Sequence, residues 1–186
     1  MRIHILTPLC LGVLAYIEGV YPFLLFISCA VLHELGHLLA IKMAGGKIGR
    51  VDIMPLGARI ITVGITSHIN DIKVYLSGPL ANILFFVLSF PLALTVNSPY
   101  VLYFSLCNMF LAFVNLLPIS GNDGYCAVIA LVSQKAQEER LFSVMEKTRK
   151  ISEAVFVLLS FLAVLASRFN PGVIGLTAAA NIYKKD

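Results

Sequence analysis

The sequence predicts an all-α polytopic membrane protein with about six transmembrane segments and a small interfacial β-hairpin between the second and third. Three observations predict it. Of the 186 residues, 59% are hydrophobic and 13% charged, with mean hydropathy +0.88, whereas an ordinary soluble domain carries roughly a quarter charged residues. Apolar runs of helix length recur at about 3–20, 21–44, 74–96, 100–118 and 151–167, with a shorter run at 171–183. The basic residues, finally, collect in alternate connections. Such a chain has no room for a sizeable soluble domain, and residues 1–186 read as one intramembrane core.

The first run starts behind a weak basic residue, Arg2, and has no small-residue cleavage pattern after it, so it reads as a retained span instead of a signal peptide. Turn chemistry separates the runs: Gly19 and Pro22, Gly45-Gly46, Asn97-Ser98-Pro99, then Gly121-Asn122-Asp123-Gly124. Between the second and third runs, Val51-Asp52-Ile53 and Ala58 to Val63 are rich in β-branched residues and flank Pro55-Leu56-Gly57. That pattern suggests two short strands at the cytoplasmic interface, with an unstructured loop as the alternative it leaves open. Ser133 to Lys150 is polar and reads as a solvated or interfacial helix before the fifth span. The sixth segment is short or tilted into a thinned region.

Alternate crossings put Arg2, the 42–73 connection and the 119–150 connection on one side. That side collects Lys42, Lys47, Arg50, Arg59, Lys73, Lys135, Arg140, Lys147, Arg149 and Lys150, most of the 14 basic residues. The positive-inside rule then places the N-terminus in the cytoplasm. Topology therefore explains the net charge of +4, and no nucleic-acid partner is expected. Cys10, Cys29, Cys107 and Cys126 form no C-x-x-C pair and read as packing residues, not ligands.

Inside the second run lies His33-Glu34-Leu35-Gly36-His37. On a helix His33 and His37 are one turn apart on one face, able to reach a single metal ion, with Glu34 beside them as general acid/base. The pattern is H-E-x-x-H, and its surroundings from Tyr21 to Ala44 are otherwise apolar except for Lys42. Ionisable groups are costly in lipid and mark functional sites there. The plain alternative is two histidines that satisfy each other.

A catalytic zinc site typically takes three protein ligands. The candidates for the third are Glu18, Asp52, His68, Asp71 and Asp123. The histidines fall about 10–17 Å before the inner end of their helix at 1.5 Å per residue. The fourth span also runs inward, and Pro118 and Gly121 should break it so that the chain folds back at membrane depth. Asp123 is thereby delivered to the same half of the bilayer and is the favoured ligand; Asp52, Asp71 and His68 stay open, while Glu18 lies near the outer surface. Asn115 and Pro118 at that bend are candidate substrate contacts, with Asn82 a further one. Asn108 and Asn115, seven residues apart, share a helix face and alternatively tie helices together. Ser77, Gly78 and Ala81 are small enough to let a neighbouring helix approach closely.

HELGH in an early span, Ser77-Gly78-Pro79-Leu80-Ala81-Asn82 in the next and Asn115-Leu116-Leu117-Pro118-Ile119 followed by Asp123-Gly124 together resemble the site-2 protease family of intramembrane zinc metalloproteases, peptidase M50. The blocks occur in the family's order across 33–124. The likeness is nearest to the stage IV sporulation protein FB branch, through Ile53 to Ile60 and the NLLPI block. It implies one zinc per chain on His33, His37 and Asp123, with Glu34 as general acid/base, and an edge strand near 46–66 that holds an extended substrate. It further implies a bacterial cell membrane and regulated intramembrane proteolysis of a membrane-associated substrate. That substrate would be a pro-sigma factor in sporulation, with membrane inhibitory partners. Two departures stand out. Gly121-Asn122 replaces the family's usual Pro-Leu before the aspartate, which is expected to make the backbone flexible and loosen Asp123. Neither a CBS nor a PDZ domain is expected. The rival readings are a catalytically silent zinc-binding scaffold, and a metal transporter, whose ligands would step across the bilayer instead of clustering on one side.

Overall fold

A computed structural model of the chain describes residues 2–3, 12, 15–16, 19–54, 57–64, 67–119, 121–133 and 138–166. In order these form strand β1 (Arg2–Ile3), helix α1 (Val20–Met43), strands β2 (Lys47–Met54) and β3 (Gly57–Val63), then helices α2 (His68–Val96), α3 (Pro99–Leu116), α4 (Asp123–Ser133) and α5 (Glu138–Ala166). Helices α1, α2 and α3 are each long and apolar enough to cross a bilayer, which makes this a membrane protein.

Helix α2 is the hub, packed against α1, α3 and α4. The interior is small and polar: Cys29, Gly78, Pro79, Asn82, Ser105, Asn108 and Ala112 are buried. Leu35, Leu39, Leu84, Leu88, Phe110 and Phe113 point outward. Lipid is as apolar as leucine, so large side chains gain nothing by turning inward, and small residues let backbones close up. Gly36 illustrates this: a Cβ there would lie 2.6 Å from the Ser77 carbonyl oxygen and 2.9 Å from Ala81 Cβ. The close approach expected at Ser77, Gly78 and Ala81 is therefore the α1–α2 contact.

Local chemistry sets the ends of the helices. Helix α1 stops in a Schellman motif in which Gly45 adopts φ 73°. Its N–H donates to the Lys42 carbonyl at 3.1 Å, and the Gly46 N–H donates to that of Ile41 at 2.9 Å. The turn aims the chain into β2, which pairs antiparallel with β3 from Lys47↔Val63 to Met54↔Gly57, with an irregularity between Ile48 and Arg50. Asn97 closes α2 in a left-handed conformation, and Pro99 opens α3 at its first turn, where a missing N–H is harmless. Leu117 is extended, as the residue before a proline must be, and α3 ends there.

Four expectations change. The expected span 3–20 begins instead with a two-residue strand, since Arg2 and Ile3 pair parallel with Asp52 and Ile53 in sheet order β1-β2-β3. Most of that run, Glu18 included, and the whole of 171–183 lie outside the described residues. The 119–150 connection also holds an element that was not expected, since Asp123 starts an apolar helix of 11 residues, too short to cross. From Glu138 to Ala166, the polar stretch and the fifth span, expected as separate pieces, run as one helix, α5, which contains no glycine or proline to interrupt it. The fourth change concerns Asn82, at the site itself.

Candidate metal centre

Helix α1 carries His33 and His37 one turn apart, both 7% exposed. Their rings meet edge to face, with centroids 4.8 Å apart. Across from them, the chain leaves α3 at Leu117-Pro118 and turns back through Gly121 at φ 95°, entering α4 at Asp123. An acidic side chain in a first helical turn faces the positive end of the helix dipole. Asp123 Oδ2 lies 3.0 Å from His33 Nε2 and 3.2 Å from His37 Nε2. The two Nε2 atoms are 3.2 Å apart. Among the described residues this is the cluster of three side chains able to share one ion.

The far side of each ring decides which protons are present. His37 Nδ1 lies 2.7 Å from the Val74 carbonyl oxygen, which can only accept, so Nδ1 carries the proton. His33 Nδ1 donates to Asn82 Oδ1 at 2.6 Å. The Asn82 amide is oriented by its own donors, which go to the Cys29 carbonyl at 3.1 Å and Asn108 Oδ1 at 2.8 Å. In neutral rings both Nε2 atoms then present lone pairs toward Asp123. Consistent with this, Asp123 Oδ2 is buried and accepts no hydrogen bond despite its two close neighbours. With these tautomers three acceptors face one another, an arrangement that a shared cation would stabilise. A proton would serve one edge of the triangle at a time; a divalent ion serves all three. Ligand atoms about 2 Å from a tetrahedral zinc lie about 3.3 Å from one another, close to the three spacings here. The donor set of two imidazoles and one carboxylate suits zinc.

The site is closely built. A Cβ on Gly78 would overlap His37 Nε2 and lie 2.8 Å from His33 Cε1. A Cβ on Gly124 would collide with the Leu116 carbonyl, so Gly124 lets α4 start against the end of α3. Asn122 ties the turn down: its Nδ2 donates to the Val114 carbonyl at 2.7 Å, its backbone N–H to that of Ile119 at 2.9 Å, and its own carbonyl accepts from Cys126 N–H at 3.2 Å. The loosening expected from Gly121-Asn122 is thus met by a side chain that fastens the residue before Asp123 to α3.

The other candidates fall as follows. Glu34 is half-buried on α1, beside the two histidines in sequence. Asn115 is half-buried and donates from Nδ2 to the Leu111 carbonyl of its own helix at 3.0 Å, and Pro118 is exposed at the bend. Asn82, expected as a substrate contact, is 0% exposed, with its oxygen and both donors engaged inside the protein. It orients His33 instead. His68 and Asp71 line a separate cleft with Tyr75, Tyr125, Cys126 and Ser133, and neither joins the triad. Asp52 is on β2, and its side chain lies outside the described atoms. Sequence reasoning missed the Val74 carbonyl and Asn122 as supports. A backbone acceptor carries no sequence signal, and Asn122 was indistinguishable from an ordinary turn residue.

No protein-family model matches the chain. A zinc metalloprotease of Methanocaldococcus jannaschii is 32% identical over 117 residues, which is 60% of this chain and 34% of that protein. The chain thus spans about a third of the length of the curated relative it matches. A solved site-2 protease from Methanocaldococcus jannaschii superposes with TM-score 0.70, covering 94% of this chain and 85% of that one at 22% identity. The two share a fold.

Proposed function

We propose that this chain is an intramembrane zinc metalloprotease of the site-2 protease family, cleaving a membrane-associated or transmembrane protein near the cytoplasmic face. The observation that carries the reading is the convergence of His33, His37 and Asp123, lone pairs inward, in a fold shared with a site-2 protease. Those three residues would hold one zinc ion. When bound, it supplies a Lewis acid that polarises a carbonyl and makes a water acidic enough to ionise near pH 7.

The chain's own residues do the rest. Glu34 takes a proton from the attacking water as its oxygen bonds to the scissile carbonyl carbon. It then passes that proton to the departing nitrogen as the C–N bond breaks. Asn82 and the Val74 carbonyl keep the histidines in the tautomer that points Nε2 inward. A helical peptide bond is shielded, so the substrate must be extended at the cut; Asn115 and Pro118, at the broken end of α3, are placed to hold it there. Asn115 then shares its amide between Leu111 and the substrate backbone. The six-segment topology with a cytoplasmic N-terminus, the interfacial position of β2 and β3, and the processing of a pro-sigma factor in sporulation belong to this proposal. They rest on charge distribution and on the blocks shared with that family.

The test compares membranes from cells expressing the parent chain or Glu34→Gln, by mass spectrometry of newly formed N-termini. The variant should keep its zinc and lose its products by at least about a hundredfold. Products that persist in the variant would remove Glu34 from the chemistry.

A further inference from the structure

Helix α3 supplies no ligand to the metal centre, yet Asn108 near its middle is 0% exposed and engaged in hydrogen bonds at both ends of its amide. Its Nδ2 donates to the Phe104 carbonyl at 2.9 Å and to Cys29 Sγ at 3.1 Å. Those two acceptors fix which way the amide points, so Oδ1 faces α2. There it accepts from Asn82 Nδ2 at 2.8 Å, and Asn82 Oδ1 in turn accepts from His33 Nδ1 at 2.6 Å. The chain of bonds crosses three helices and ends on a proposed ligand. Cys29 and His33 are themselves one turn apart on α1, so the network closes on the helix that carries the histidines.

We propose that Asn108 is a positioning residue for the metal centre, holding Asn82 so that its oxygen, not its nitrogen, meets His33. The inference rests on the zinc reading above. Its logic is the symmetry of an amide: oxygen and nitrogen are alike in shape, and only partners distinguish them. Without the Asn108 oxygen, Asn82 has one fewer reason to keep Nδ2 toward α3. Reversed, it would turn an N–H toward His33 Nδ1 and favour the other tautomer. That tautomer places a proton on Nε2, where the ion needs a lone pair. Partners one shell out from a metal ligand commonly govern affinity by 10–100-fold.

The experiment measures zinc dissociation constants by chelator competition on the detergent-purified full chain. The variants are Asn108→Leu, Asn82→Leu, the double variant and Ser105→Ala. Ser105 is equally buried on α3, with its hydroxyl 3.5 Å from the Phe86 carbonyl, and serves as the control outside the network. Asn108→Leu should weaken zinc binding roughly tenfold, at the lower end of that range because it acts through Asn82. Ser105→Ala should leave it unchanged, and Asn108→Leu should add nothing in a chain already carrying Asn82→Leu. Should Asn108→Leu not fold, Asn108→Ser, which draws the acceptor back from Asn82, carries the same expectation. Unchanged affinity in a zinc-binding parent, or full additivity with Asn82→Leu, overturns the positioning role alone. A parent that takes up no zinc overturns the metal reading, and this inference with it.

Discussion

Gly78 lies where α2 passes closest to the two histidines, and a methyl group there would occupy the position of His37 Nε2. Gly78→Ala should therefore push α2 away or turn the rings, at a cost of about 1–3 kcal/mol for overpacking, and should lower zinc occupancy. Metal analysis of the purified variant checks this; full occupancy would mean the helices yield more easily than their packing indicates. The three residues that converge, His33, His37 and Asp123, were all singled out in the sequence. HELGH announces its own geometry because helical spacing alone puts His33 and His37 on one face. Asp123 was favoured there by following which spans are expected to run inward, and the structure brings it within 3.0 Å of His33 Nε2. Asn82 was misjudged for a physical reason: an asparagine in an apolar helix looks the same whether it faces a substrate or a histidine. Only the packing of α1 on α2 decides between them.

The turn from α3 into α4 carries Asp123, the proposed third ligand, and one side chain fastens it. Asn122→Ala removes the bond to the Val114 carbonyl and should cost about 1 kcal/mol of stability, the usual net value of one hydrogen bond. Because Asp123 is the next residue, zinc affinity should fall as well. Thermal unfolding and chelator competition on the same sample separate the two effects, and an unaltered affinity would show that Gly121 and Gly124 suffice to place the carboxylate. At the other end of α1, Gly45→Ala forces a left-handed conformation on a residue with a Cβ, costing about 1–2 kcal/mol, and should lower the unfolding temperature. An unchanged melt would mean that the α1–β2 turn relaxes freely. The long helices were visible from their apolar runs, and their ends from Gly, Asn and Pro. Helix α4 was not, since a short apolar helix of eleven residues behind a turn motif resembles the edge of a connection. Strand β1 was equally hidden: two residues have no periodicity, and their pairing depends on where β2 lies.

For the whole molecule, the basic residues make a testable statement about orientation. Tags inserted at Asn97-Ser98 should be accessible from outside intact cells, and tags at Gly45-Gly46 only after permeabilisation. The reverse pattern would invert the proposed topology and place the metal centre near the outer face. The architecture itself is coherent with its solvent. Large side chains face outward, small and polar ones meet inside, and hydrogen bonds anchored on α3 support His33 through Asn108 and Asn82 and hold Asn122, the residue before Asp123. Every role proposed for these residues depends on the three converging acceptors holding zinc. The most direct test is the zinc content of the detergent-purified chain beside His33→Ala and Asp123→Ala. About one zinc per chain in the parent, lost in both variants, is the predicted result. A folded parent that stays metal-free in the presence of added zinc would contradict it.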